Sequence, residues 1–526
     1  MAGSAQPMKP AGWAGIAAAG LLAALSLGTL AVVAIRAESG AGFGPADLAA
    51  IRFTVTQALA SAALSVLLGV PVARALARRR FAGRGLLITL LGAPFLLPVI
   101  VAVLGLLAVF GRAGLLSSAL IWLGLPPLDI YGFRGVVLAH VFFNLPLATR
   151  LILQGWQAIP GEHFRLAAQL GMTSRDIARR LERPMLRAVL PGAFATIFLL
   201  CVTSFAVALT LGGGPGATTV ELAIYQAFRF DFDLGKAASL AMVQFGLCAG
   251  AALVAWMVAV PAAFGGGLDR PVERWDCHGL ASRLADTAAL ALVSVFLILP
   301  LTMVALSGLG GLADLPPGLW RAALRSVLVA LASGALAITL ALVLAGAVVR
   351  MEVGAARFAG LLEASGYLSV AASPMVIGTG LFLLLFPLAD PAALALPVTA
   401  LVNAAMSLPF ALRALIPAMR DVERDYGRLA QSLGMTGAAR FRLLTWPRIR
   451  PAAGFAAGLA AALSMGDLGV IALFADADAV TLPLLLYRLM GSYQMVAAHG
   501  TALVLVVLSL GLFWLFDRGG RFHAAA

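Results

Sequence analysis

The sequence predicts an all-α polytopic helical membrane protein with about 12 transmembrane helices in two parallel-repeat halves of six. Three observations predict it. The 526-residue chain is 61% hydrophobic and only 12% charged, whereas soluble domains carry about 25% charged residues. Apolar runs of about 20 residues, long enough to cross a hydrocarbon core, recur along its whole length. One amphipathic phrase is written twice, as RLAAQLGMT at Arg165–Thr173 and as RLAQSLGMT at Arg428–Thr436, 263 positions apart.

The apolar runs place spans near 11–35, 51–73, 86–110, 134–157, 189–211, 237–264, 285–308, 323–349, 359–387, 391–416, 452–474 and 495–517. The first is long and lacks a clear small-residue cleavage site, so it reads as a retained helix and not a secretory signal. Most of the 37 Lys and Arg fall in alternate connections. Basic residues stay on the cytoplasmic side of bacterial membranes, so both termini are expected inside. The net charge of +13 is then a topology signal, and no nucleic-acid partner is needed to explain it. Cys201, Cys248, Cys277 and the five histidines are scattered, which suits neither a disulfide framework nor a metal site. His140 reads as an ordinary helix residue. No nucleophile–base pair or carboxylate dyad is legible, so the chain is not expected to be an enzyme.

The repeat justifies the two halves. Leu145-Pro146 pairs with Leu408-Pro409, Gly171 with Gly434 and Pro184 with Pro447, all at the same offset. That register also aligns CVTSFAVALTL (201–211) with SMGDLGVIALF (464–474). At a larger offset, LLPVIVAVLGLL (96–107) is similar to ASPMVIGTGLFLL (372–384). Six spans per half give parallel repeats about an axis along the membrane normal. The expected units are a first half at 1–270 with a basic connection near 158–187, a linker at 271–284, and a second half at 285–526 with a basic connection near 417–450.

Each basic connection holds the repeated phrase on a helix-compatible stripe. An amphipathic helix lying on lipid is one reading. Lipid anchoring requires apolar area and charge, but not the same Leu-Gly-Met-Thr in both halves; two equivalent partner surfaces would require it. Both connections resemble the cytoplasmic loop of binding-protein-dependent ABC importer permeases, E-A-A-x3-G-x9-I-x-L-P. Gly171 is followed by Leu181 and Pro184, and Gly434 by Leu444 and Pro447; Ala167 and Ala430 match the second Ala. Arg165 and Arg428 stand where the family has Glu, and Leu166 and Leu429 where it has the first Ala.

This resemblance implies the type I ABC importer permease fold. It implies that Arg165, Ala167, Gly171, Met172 and Pro184, with Arg428, Ala430, Gly434, Met435 and Pro447, belong to segments that couple to two copies of an ABC ATPase subunit. Neither of the chain's two lysines lies in G-x-x-x-x-G-K-[ST], so the phosphate-cradling loop of an ATPase must come from another polypeptide. ATP and Mg are expected on those partners, with no cofactor on this chain. A periplasmic substrate-binding protein and the lipid bilayer of the bacterial inner membrane complete the expected partners.

Among fused permeases the chain resembles the bacterial thiamine transporter permeases through LARRRFAGR (76–84), LAHVFFNLPLATRLILQ (138–154), IPGEHFRLAAQLGM (159–172), LGGGPGATTVELAIYQAF (211–228) and SMGDLGVIALF (464–474). Ferric-iron permeases are the near alternative. An ion-coupled secondary transporter is the alternative from another class, though such carriers place several ionisable groups mid-span. Here Asp467 is the clearest, and its repeat partner is Ser204, beside Thr203. A cationic substrate suits a carboxylate, hydroxyls and aromatic faces, which makes Asp467, Ser204 and Thr203 the candidate path residues. A helix-capping role for Asp467 is the competing reading. Glu221, Asp231 and Asp233 follow the Gly-rich LGGGPGATT and are candidates for docking the binding protein.

Overall fold

The computed structural model describes residues 10–37, 43–258, 279–352, 356–475 and 479–521. Part of the expected linker, 271–278, lies outside them, together with Cys277 and the basic residues Lys9, Arg270 and Arg274. The described residues contain helices and no strand. The principal helices are α1 (Trp13–Arg36), α2 (Pro45–Arg78), α3 (Val99–Phe110), α4 (Phe133–Gln157), α5 (Gly161–Gln169), α6 (Arg183–Val202), α7 (Phe205–Leu211), α8 (Val220–Arg229), α9 (Leu234–Met257), α10 (Leu280–Gly311), α11 (Leu319–Met351), α12 (Pro374–Leu385), α13 (Ala395–Ser432), α14 (Trp446–Met465), α15 (Gly469–Phe474), α16 (Leu482–Gly491) and α17 (Met495–Arg521). Among the described residues, eleven helices are long and apolar enough to cross a membrane. The chain is therefore an all-α, multi-pass membrane protein.

The count of twelve spans is not reproduced, because the expected ninth span is divided. Its stretch 359–387 holds three shorter helices, Ala356–Ser365, Leu368–Ala371 and α12. The chain turns at Ser373, whose φ of 37° is left-handed, and Pro374 opens α12 at a position where its missing N–H costs nothing. The Ser373 hydroxyl accepts the Val376 N–H at 3.3 Å. The third span breaks at the matching place, before Pro98 and α3.

Two compact units form, one of Met1–Ala41, Ile224–Phe245 and Asp314–Ala526, the other of Gly42–Ala223 and Gly246–Ala313. The first helix of each repeat thus belongs to the unit built mainly from the other repeat. In the first unit Ala18 and Leu22 of α1 join a core with residues of α11, α13 and α14, and α1 crosses α12 so closely that a Cβ on Gly380 would stand 2.5 Å from the Thr29 carbonyl oxygen. In the second unit α10 lies on α3, where a Cβ on Gly105 would stand 2.7 Å from the Pro300 carbonyl oxygen. Small residues let helix backbones approach where lipid supplies no hydrophobic drive for association. Phe296 of α10 packs edge-on against Phe110 and Phe142, with ring centroids 6.3 and 5.7 Å away.

At the end of α2, Asp286 of α10 accepts from Arg78 Nε at 2.9 Å and Arg79 Nε at 2.6 Å. The Arg78 and Asp286 side chains are only 7% and 6% exposed. A buried carboxylate is tolerated because two guanidinium groups satisfy it. The contact fixes the second repeat's first helix to the second unit.

Candidate coupling segments and translocation site

The repeated phrase folds the same way twice. After α5 the chain turns at Gly171 with φ of 62°, and after α13 at Gly434 with φ of 63°. The Met172 N–H reaches back to the Ala167 carbonyl at 3.0 Å, and the Met435 N–H to the Ala430 carbonyl at 2.9 Å. This is the paired-bond stop that a left-handed glycine gives a helix end. A Cβ on either glycine would meet nothing within 4 Å, so the backbone angle, and not space, calls for glycine here.

The register continues beyond the turn. A π-helical turn covers Ala178–Glu182 in one copy and Phe441–Thr445 in the other. Then α6 and α14 begin, with Pro184 and Pro447 in their first turns.

The two segments are braced differently. In the first, Phe164, Ala167 and Ile177 form a small core of their own, flanked by Ile159, Met172 and Leu181. Glu182 pairs with Arg74 at 3.0 Å. In the second, α13 runs unbroken from its apolar part into the phrase, ending at Ser432. Glu423 pairs with Arg440, Arg420 pairs with Glu352 and Glu363, and the Arg448 guanidinium lies 4.0 Å over the Tyr426 ring.

Of the residues singled out in the sequence, Arg165 and Arg428 are exposed, with Arg165 3.6 Å from Glu162, and Pro184 and Pro447 are also exposed. Ala167 and Ala430 are buried, and Met172 and Met435 are half-buried against the chain's own cores. These four shape the segments from inside. The outward apolar residues are Leu166 and Leu170 in one copy and Leu429 and Leu433 in the other; Leu170 is 67% exposed and Leu433 66%. The repeated i, i+4 leucine pair was the available signal for them.

Helices α6 and α14 both stop in matching places, at Thr203-Ser204 and at Gly466–Leu468. Beneath each break lies a polar cluster. In the second unit, Gln57 donates to the Cys201 carbonyl at 3.1 Å, Asn144 lies 3.4 Å from the Cys201 Sγ, and Ser61 Oγ is 3.4 Å from His140 Nδ1. His140 is thus a helix residue with one engaged ring nitrogen; its Nε2 has no partner among the described residues. In the first unit, Ser333 and Ser464 share a bond at 2.9 Å, and Asn403 donates to the Ser464 hydroxyl at 3.1 Å. His140 and Cys201 occupy the repeat positions of Asn403 and Ser464.

Ser204 and Thr203 sit in the first break, where the Thr203 hydroxyl bonds back to the Leu199 carbonyl at 3.3 Å. Asp467 sits in the second. The N–H groups of Gly469, Val470 and Ile471 and the Asn403 amide donate to its carboxyl group, so it caps α15. Its Oδ2 is buried with no hydrogen-bond partner among the described residues.

The acids expected to dock a partner separate. Glu221 is 1% exposed, which removes it from any docking surface. It lies in the first turn of α8, a helix that is buried on nearly every side, and the Val220 N–H just before it donates to Thr54 Oγ1 at 2.9 Å. Asp233 accepts the Lys236 N–H at 2.8 Å and caps α9. Asp231 alone of the three is exposed.

Known proteins share this chain almost end to end. It is 42% identical over 517 residues to the thiamine transport system permease protein ThiP of Brucella abortus (strain 2308), covering 96% of this chain and 94% of that protein. The chain belongs to the thiamine transport permease family. The permease is also 40% identical to the ThiP protein of Salmonella typhimurium over 537 residues, covering all of this chain and 99% of that one. A molybdenum transport system permease protein, ModB of Mycobacterium bovis, is 33% identical over 202 residues, which is 38% of the permease and 75% of its own length. No family model matches the chain.

Proposed function

We propose that the permease is the membrane-spanning subunit of an ABC importer that carries thiamine, with thiamine phosphates as further candidate cargo, across the bacterial inner membrane, with both termini cytoplasmic. The observation that carries this reading is the twin coupling segment: one helix end, one left-handed glycine, one π-turn and one outward leucine pair, repeated 263 positions apart. Such a repeat suits two copies of one ATPase subunit, each holding ATP and Mg and receiving one segment. The cargo is inferred from the relatives' names. A periplasmic binding protein delivers it on the side opposite the coupling segments. Closure of the ATPase pair moves those segments, and the spans alternate between outward and inward openings.

Proteoliposomes holding the permease with its ATPase and binding protein test this. Radiolabelled thiamine uptake should require internal ATP and survive collapse of proton and sodium gradients. Uptake driven by a gradient without ATP would make the chain a secondary transporter, and uptake of ferric iron in place of thiamine would change the cargo.

In this reading Asp467 both caps α15 and offers charge to the thiazolium. The variant Asp467→Asn keeps a capping acceptor, because Asn caps helices as well as Asp does, and it removes the charge. Uptake should fall about tenfold, equivalent to ~1.4 kcal/mol, with membrane abundance unchanged. Wild-type uptake would leave Asp467 with the capping role alone.

A further inference from the structure

Three phenylalanines of the first unit meet across the repeat. Phe382 of α12 stands 4.9 Å from Phe228 of α8, centroid to centroid, with ring planes at 74°. It stands 5.4 Å from Phe474 of α15 at 59°. Phe228 comes from the first repeat and the other two from the second. Phe228 and Phe474 are buried, while Phe382 is half-buried and stacks on Phe386 at 5.8 Å. Helix α15 connects this group to the unpaired oxygen of Asp467, with Asp467 just before its first turn and Phe474 at its end. The six residues of α15 span about 9 Å.

Ring–ring contacts such as these are worth only ~1 kcal/mol each, so a ring held by them can be displaced by a ligand that offers a comparable interaction. A cation over a ring face does so. We propose that Phe228, Phe382 and Phe474 form an aromatic closure beyond Asp467, and that Phe382 is its specificity-determining leaf, exchanging its ring contacts for the face of a cationic thiazolium. With the rings together the closure is apolar and excludes water and small ions. A cationic heteroaromatic ring opens it by stacking and is then received by the Asp467 carboxylate. This inference rests on the reading of the cargo as thiamine.

The experiment uses the complete complex in proteoliposomes, with phenylalanine at 382 replaced by mono-, di- and trifluorinated phenylalanine. Fluorine withdraws charge from the ring face while leaving its shape nearly intact. Thiamine uptake should fall stepwise, reaching about tenfold at three fluorines, with membrane abundance unchanged. Phe382→Trp should retain uptake, and Phe382→Leu should lose it about tenfold. Uptake indifferent to fluorination, in a complex whose wild type transports thiamine, would overturn the closure and leave the three rings as packing. A wild-type complex that takes up no thiamine would overturn the cargo reading, and this inference with it.

Discussion

Gly171→Val and Gly434→Val are each expected to lower thiamine uptake about tenfold, while Gly171→Asn and Gly434→Asn stay within about twofold of wild type. The reasoning is conformational. Both glycines hold φ near +60°, and a Cβ at either position meets no atom. Valine therefore suffers no clash, only the cost of a left-handed backbone, roughly 1–2 kcal/mol for an ordinary residue and more for a β-branched one. Asparagine visits that region readily. With valine the helix stop relaxes, the bonds from Met172 to Ala167 and from Met435 to Ala430 are lost, and the leucine pair no longer presents its face. Uptake and thiamine-stimulated ATP hydrolysis, measured together in proteoliposomes, check this. Equal behaviour of the Val and Asn variants would show that the turn geometry is immaterial to coupling.

Much of this arrangement was legible in the sequence because the repeat is legible. An offset that holds from Leu145 to Phe474 predicts equivalent helices, and α6 and α14 begin and end at equivalent residues. The glycine turns were readable because glycine is the residue most at ease at that backbone angle. What was not readable depends on long-range packing. Nothing in a hydropathy pattern says that α1 belongs with α11 and α12, or that α10 belongs with α3, since an apolar helix can be buried against any neighbour. The burial of Glu221 was hidden for the same reason: a carboxylate in a polar-looking connection reads as solvated until the helix around it is seen to be packed. Asp467 was found as an isolated acid in an apolar stretch. Its capping of α15 came from the break in the helix, which Gly466 and Gly469 suggested.

The residues of the two repeated segments also show why side-chain direction matters more than motif membership. Ala167 and Met172 match or adjoin the repeated pattern, yet they face the chain's own core. Leu170, which the family motif E-A-A-x3-G leaves open, is exposed. A recurring motif records what the backbone and interior require as well as what a partner touches. The outward positions are found only by following the helical stripe.

The second large effect is expected from stiffness. The helix of the first repeated segment, α5, is separated from α4 at Ala158–Pro160 and starts afresh at Gly161. In the second copy the equivalent positions, Asp421–Glu423, lie inside α13, a single helix of 38 residues, about 57 Å long. A continuous helix transmits displacement along its axis, whereas a segment joined through an extended proline loses part of it in the joint. Replacing Asp421–Glu423 with three glycines keeps the residue count, costs the helix roughly 1.5 kcal/mol in propensity and also removes the buried Val422 side chain, creating in the second copy the flexibility that the first already has. Uptake should fall about tenfold. Three glycines at Ala158–Pro160 should leave it within about twofold, because no helix is there to soften and the only packing lost is that of half-buried Ile159 at the edge of the small core. Glu423→Ala separates stiffness from the ion pair with Arg440. That pair is partly exposed and worth little, so its loss alone should leave uptake near wild type. If the two glycine variants lose uptake equally, the arms transmit motion equivalently and the unbroken helix is only a local accident of sequence; if only the second variant fails, the two halves share one coupling surface but drive the spans through different mechanical linkages.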